Sequence, residues 1–264
     1  MVLDSSQEDA QRVTSLPRPS WVWTIVTWTL VLSTLCASAF TCVLVGGAFA
    51  LFGDHHRRVA HQLLRFGYRH IVAWHPRYRL RLTGLENLPE GPAVFCPNHQ
   101  SYSDVVFLFA LPIDAKWIVK KELFHVPLFG SSMRVARYPV VDRGDPESAL
   151  LVIQQVRDFL AAGISVLTFP EGTRSTNGAV GRFHGGAARM AVASQVPLVP
   201  VGVAGTDTLL PRGSMMFSDQ RYLAIHIGPP IFTAGADTRQ VRQLTRQLRE
   251  GVLAAKAEAM SHLS

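Results

Sequence analysis

His99 and Asp104, five positions apart in the run Asn98-His99-Gln100-Ser101-Tyr102-Ser103-Asp104, are the residues whose types most directly suggest chemistry. On one continuous helix a five-residue step turns by about 500°, which leaves the two side chains roughly 140° apart. They meet only if His99 sits on a loop and Asp104 in the first turn of the helix that follows, with Ser101 or Ser103 as the N-cap. In that geometry the carboxylate accepts a hydrogen bond from one imidazole nitrogen. The other nitrogen is free to take a proton from a hydroxyl. This is the His-Asp half of a catalytic triad without its serine, and the chain contains no Gly-x-Ser-x-Gly elbow to supply one. Taken alone, the pattern also describes a surface histidine beside a helix cap. Cys96, three residues upstream, offers a second nucleophile in principle. Its place at the end of an apolar run predicts a buried strand residue instead.

The elements that must position this pair are legible from periodicity. Alternating or short apolar runs predict strands over 78–83, 93–96, 115–119, 138–141, 164–169, 196–203 and 222–227. Helical spacing of apolar residues predicts helices over 105–111, 146–162, 182–194 and 239–256. Strands alternating with helices imply an α/β domain. His99 then follows a strand and Asp104 opens a helix.

The N-terminal part reads differently. From Pro19 to Gly53 there is no Asp, Glu, Lys, Arg or His, and the apolar core from Trp21 to Phe52 is 32 residues long. A bilayer core needs only about 20. A tilted span, a span with one end in the interface, or two short helices broken near Ser33–Ser38 or Gly46-Gly47 would use the surplus. Trp21, Trp23 and Trp28 resemble an interfacial anchor. A cleaved signal peptide fits poorly, because the first ten residues carry three acids and no base. Arg57, Arg58, Arg65 and Arg69 follow the segment, so the positive-inside rule places the C-terminal domain on the cytoplasmic face of the cell membrane. The expected organisation is a polar tail (1–20), a membrane-embedded helix or hairpin (21–53), an amphipathic interfacial segment with a solvated basic face (54–78), and the α/β domain (79–264). The histidines at 55, 56, 61, 70 and 75 match no closed zinc spacing, and no metal is expected. The net charge of +7 and the 17% charged content, without basic runs interleaved with aromatics, point to a membrane surface rather than nucleic acid. Three scattered cysteines form no disulfide framework.

Three further blocks follow the histidine segment: Arg137-Tyr138-Pro139-Val140-Val141-Asp142-Arg143, Phe169-Pro170-Glu171-Gly172-Thr173-Arg174-Ser175 and Val196-Pro197-Leu198-Val199-Pro200-Val201. In order and spacing the four blocks resemble those of the glycerolipid acyltransferases typified by 1-acylglycerol-3-phosphate acyltransferases. The resemblance covers about Arg79 to Ile231. It implies a mixed sheet flanked by helices and acyl transfer from acyl-CoA or acyl carrier protein to a lysophospholipid hydroxyl at a lipid bilayer. The acyl donor is a co-substrate and no cofactor is needed. His99 would be the general base, with Asp104 fixing its tautomer. Arg174 and Arg143 would bind the acceptor phosphate through their planar forks. Glu171 would orient Arg174 or the acceptor hydroxyl, Gly172 would allow close backbone approach, and Thr173 and Ser175 would add hydroxyl donors. The fourth block would line an acyl-chain tunnel. Lys116, Lys120 and Lys121 would meet coenzyme A phosphates or solvent. The sequence departs from the family at His184, where relatives often carry Lys. The acceptor stays open among 1-acylglycerol 3-phosphate, glycerol 3-phosphate, another lysophospholipid and a lyso-aminolipid. Hydrolysis and non-catalytic lipid binding are the competing classes.

Overall fold

The uncharged N-terminal stretch folds as one helix, α1 (Trp21–Leu51), with a π-turn at Cys42–Gly46. The computed structural model describes residues 19–142, 144–176 and 178–263. The polar cluster at 33–38, one of the two places where a break was possible, does not break this helix. The hydroxyls of Ser33, Ser38 and Thr41 each donate to the carbonyl four residues earlier, so their polarity is absorbed inside the helix. The hairpin forms instead with the next segment, α2 (Arg58–Trp74). The two run antiparallel: Gly46 lies against Ala60, Ser38 against Gly67, and Thr27 Oγ1 bonds His75 Nε2 at 3.0 Å. A Cβ added to Gly67 would fall 1.7 Å from Ser38 Oγ, and one on Gly46 2.7 Å from Ala60 Cβ. Small residues therefore set the helix spacing.

The basic face expected over 54–78 is only partly solvated. Arg58 and Arg69 are exposed, whereas His61 and His75 are buried. His61 Nδ1 bonds the Tyr138 hydroxyl at 3.0 Å, and its Nε2 lies 3.1 Å from Asp114. The histidine thus fastens α2 to the α/β domain.

That domain contains β1 (Arg79–Thr83), β2 (Val94–Pro97), α3 (Ser103–Leu108), β3 (Ala115–Trp117), β4 (Val119–Lys120), α4 (Phe129–Val135), β5 (Val140–Val141) and α5 (Pro146–Ala161). It continues through β6 (Ser165–Leu167), α6 (Gly186–Ser194), β7 (Leu198–Ala204), α7 (Thr206–Leu209), β8 (Tyr222–Ile227) and α8 (Val241–Ser261). Six strands form a mixed sheet in the order β1-β8-β7-β2-β6-β3, antiparallel only between β7 and β8. β4 pairs with β5 in a separate two-stranded ribbon. The strand expected over 115–119 is split accordingly, because Val119 N–H turns to the Pro139 carbonyl. The helix expected from 182 begins at Gly186, since His184 N–H donates to Pro170 O and holds the preceding residues on the third block's loop.

Apolar side chains cover both sheet faces, as parallel strands demand. Phe95, Phe107, Leu108, Val199 and Ile225 pack toward the hairpin side, and Val156, Leu160, Val166, Leu198 and Leu248 toward α5, α6 and α8. Each fully buried side chain of this size contributes about 1.5–3 kcal/mol. Leu198–Val201 of the fourth block lie inside this packing, in strand β7, which is buried along its whole length. None of the block's residues lines the cavity that reaches His99, because β7 has neighbours on both edges and layers on both faces.

Candidate active site

Sheet topology brings the first and third blocks together. β2 and β6 are parallel neighbours in register at Phe95 and Leu167. Four residues beyond that pair, at the carboxyl ends of the strands, stand His99 and Glu171. Crevices at strand carboxyl ends are where open α/β sheets bind ligands.

Asp104 opens α3, is 0% exposed, and points back at the loop. Its Oδ2 accepts three hydrogen bonds: from His99 Nδ1 at 2.8 Å, Gln100 N–H at 2.7 Å and Ser101 N–H at 2.9 Å. Tyr102 occupies the N-cap position rather than Ser101 or Ser103, although Ser101 Oγ accepts from Ser103 N–H at 3.2 Å. The His99 ring stacks on Phe169 with centroids 3.8 Å apart and planes 15° from parallel. With Nδ1 engaged, Nε2 makes no hydrogen bond among the described residues, and the 16% exposed ring lines a cavity. An imidazole held this way can accept a proton at Nε2 while the carboxylate stabilises the imidazolium.

Glu171 does not turn to Arg174. Its Oε1 accepts from His99 N–H at 2.9 Å and its Oε2 from Gly181 N–H at 2.8 Å. Ser175 N–H donates to His99 O at 2.8 Å. The backbone of His99 is therefore gripped on both sides by the third block. Of its two expected partners, Arg174 is not one: at 6% exposed, with each oxygen on a backbone N–H, Glu171 locks the His99 loop. Asn98 secures the other side, its amide pairing both ways with Val203 of β7 at 3.0 and 2.7 Å. Gly172 has φ +72°, a conformation in which a side chain is strained, and a Cβ there would stand 3.3 Å from the His184 ring.

The cavity has a volume of about 660 Å³. Its walls are mostly apolar and come from α1, α2 and α3 together with Trp117, Phe129, Met133 and Tyr138. At the His99 end the lining includes Gly172, Thr173, Arg174 and Arg212. The Arg174 guanidinium lies 3.6 Å from the Tyr102 ring centroid, a cation–π contact. Arg212 was not legible in any block; only the fold brings residue 212 beside residue 174. Lys120 also lines the cavity and pairs with Glu122 at 2.8 Å. Ser175 enters the site through its backbone. Arg143 lies outside the described residues. Cys96 is fully buried in β2, and burial pushes its thiol well above the ordinary range, away from the thiolate a nucleophile needs. Among the described residues no three His, Cys, Asp or Glu side chains cluster as a metal site requires.

Lys116 departs furthest from expectation. It is 0% exposed, its Nζ donates to the carbonyls of His56 at 2.6 Å and Ala136 at 2.5 Å, and it lies 4.5 Å from the Phe159 ring centroid. It cannot meet a phosphate in solvent. Burial pulls its pKa down to about 7, against the opposing pull of Asp54 and Asp114. From pH 7 toward 10.5 the unfolded chain then holds a proton that the folded chain has released. Folding stability should rise with pH across that window, by up to about 1.4 kcal/mol per unit. Thermal unfolding of Lys116→Met should lack this term, so the wild-type advantage should grow between pH 7 and pH 9. A constant difference would mean that the two carbonyls keep the ammonium charged.

Comparison with known proteins bears on this site. A family model described as acyltransferase matches residues 79–204, the span holding all four blocks. A 1-acyl-sn-glycerol-3-phosphate acyltransferase of Pseudomonas aeruginosa is 31% identical over 183 residues, which is 69% of this chain and 70% of that protein. The chain belongs to the 1-acylglycerol-3-phosphate acyltransferase family. A chloroplast 1-acyl-sn-glycerol-3-phosphate acyltransferase of Arabidopsis thaliana is 34% identical over 197 residues, 74% of this chain. The chain spans only 55% of that plant protein's length. The crystal structure of the 1-acyl-sn-glycerophosphate acyltransferase of Thermotoga maritima superposes with a TM-score of 0.65 at 24% identity, covering 88% of this chain and 97% of that one. The two chains share the fold.

Proposed function

We propose that this family member moves a fatty acyl group from a thioester, acyl-CoA or acyl carrier protein, to the sn-2 hydroxyl of 1-acylglycerol 3-phosphate, giving phosphatidic acid. The observation that carries the reading is the open Nε2 of His99 at the arginine-bearing end of an apolar cavity. Asp104 accepts Nδ1–H, which leaves Nε2 as the base. Nε2 takes the acceptor hydroxyl proton as that oxygen attacks the thioester carbonyl. The new C–O ester bond forms, the C–S bond breaks, and the departing thiolate takes the proton back from Nε2. No acyl-enzyme is required. Arg174 binds the acceptor phosphate with a charge-assisted fork, and the apolar walls hold an acyl chain. No cofactor takes part.

The reaction site lies at a bilayer. The most apolar 18-residue stretch of α1 has a mean hydropathy of 2.0, and the helix exposes Trp21, Ile25, Leu32, Phe40 and Phe49. Yet α1 is tied to the α/β domain near both ends: Phe217 N–H donates to Thr24 Oγ1 at 2.9 Å, and Cys42 Sγ lies 3.6 Å from Ser132 O. A helix fastened along its length to a polar domain cannot thread that domain through hydrocarbon. The hairpin thus sits in one leaflet of the cell membrane with the α/β domain on the cytoplasmic face, where Arg57, Arg58, Arg65 and Arg69 favour anionic lipid.

An acceptor panel with labelled acyl-CoA, read by lipid mass, tests the function. Labelled phosphatidic acid from 1-acylglycerol 3-phosphate, well above product from other lysolipids or glycerol 3-phosphate, is the expected result. Labelled free fatty acid alone would replace acyl transfer with hydrolysis. Arg174→Ala should raise the Michaelis constant for the phosphate acceptor by about 10- to 100-fold and leave that for the donor within a factor of about two. Equal effects on both substrates would remove Arg174 from the phosphate role.

A further inference from the structure

We infer that Arg212 is a specificity-determining residue, the second arm of a two-arginine clamp for the acceptor's phosphomonoester, set in place by the membrane hairpin. The inference rests on the acyl-transfer reading but concerns headgroup binding, which can be measured without turnover.

Arg212 is exposed and lines the His99 end of the cavity beside Thr173 and Arg174. Its Nη1 donates to the Arg174 carbonyl at 2.5 Å, so the two arginine-bearing loops are joined. Neither guanidinium forms an ion pair among the described residues. Two unneutralised guanidiniums at the rim of an apolar cavity present a local charge of +2. A phosphomonoester, close to dianionic at pH 7, answers that charge; a phosphodiester or a neutral headgroup does not. Arg212 also supplies permanent charge in a chain whose residue 184 is a titratable His with its ring packed against Gly172.

The loop that carries Arg212 is tied down on both sides. Before it, Ser101 Oγ donates to Leu210 O at 2.8 Å, linking it to the His99 loop. After it, Trp28 Nε1 of α1 donates to Met215 O at 2.8 Å, and the Trp28 ring meets Phe217 edge-on with centroids 5.4 Å apart. The headgroup arm is thus placed by contacts to the His99 loop and to the apolar helix, so docking of α1 and reading of the phosphate are coupled through one loop.

The test uses the full chain in phosphatidylcholine vesicles, with Arg212→Ala, Arg212→Lys and Trp28→Phe. Affinity for 1-acylglycerol 3-phosphate and for monoacylglycerol is measured by direct binding, and kcat/KM for each where turnover occurs. Arg212→Ala should weaken binding of the phosphate acceptor about 10- to 100-fold and that of monoacylglycerol by no more than about twofold. Arg212→Lys should fall between, since it keeps the charge but loses the fork. Trp28→Phe keeps a ring and loses the Met215 hydrogen bond, and should shift preference toward the neutral acceptor in the same direction. Unchanged discrimination between the two lipids in Arg212→Ala overturns the inference, as does an equal loss for both. Binding that behaves as expected with no acyl transfer to any lysolipid would count against the proposed reaction and leave the clamp standing.

Discussion

Replacing His99 with alanine should leave a folded, vesicle-bound protein whose acyl transfer falls by about 10³- to 10⁴-fold, the scale of a lost general base. The fold should survive because the His99 loop is held by its backbone. Glu171 takes the N–H, Ser175 supplies an N–H to the carbonyl, and Asn98 pins the strand end. None of these needs the imidazole. What is lost is the ring's stacking on Phe169 and one hydrogen bond to Asp104, a local cost. Turnover in vesicles, sedimentation with vesicles and the thermal transition together separate loss of chemistry from loss of structure. Transfer at the wild-type rate in this variant would end the mechanism.

The two substitutions at Asp104 should differ from each other by more than an order of magnitude. Oδ2 receives the His99 Nδ1–H and two backbone N–H groups. In Asp104→Asn the two backbone donors require an oxygen at that position, so the amide oxygen takes it and still accepts from Nδ1–H. The tautomer is kept, and only the charge that supports the imidazolium is removed. A charge-assisted hydrogen bond is worth roughly twice a neutral one, so kcat should fall about 10- to 100-fold. In Asp104→Ala three donors lose their acceptor in a fully buried place. The expected result is a loss of activity close to that of His99→Ala and a destabilisation of about 2–4 kcal/mol. Asp104→Asn as inactive as His99→Ala would show that the amide had turned and set the wrong tautomer.

The sequence carried the pair itself and the reason it must straddle a loop. His99 and Asp104 sit where the rotation argument placed them, on either side of a strand-to-helix turn. Strand and helix positions followed from apolar spacing, and Asp145 caps α5 by accepting from Glu147 N–H at 2.9 Å. Neighbour relations were not legible. No local pattern says that β2 lies beside β6, and that adjacency gives Glu171 to the His99 backbone instead of to Arg174. Residue type misled at Lys116 and His61, which are polar in sequence but buried against backbone carbonyls and against Tyr138 and Asp114. The partner of the apolar helix was also hidden. Gly46 looks like a break until Ala60 is seen packed against it, and Gly67 makes room for Ser38 in the same way. Arg212 lies outside every block, and its role depends on a loop that two distant segments tie down.

The most direct test of the central claim is stoichiometry. Full-length protein in vesicles receives 1-acylglycerol 3-phosphate and isotopically labelled acyl-CoA, and free thiol, phosphatidic acid and free fatty acid are followed together. One labelled phosphatidic acid should appear for each thiol released, with no accumulation of free fatty acid, and both products should be lost in His99→Ala. Thiol released with free fatty acid and no phosphatidic acid, or one-to-one product in His99→Ala, would contradict that claim.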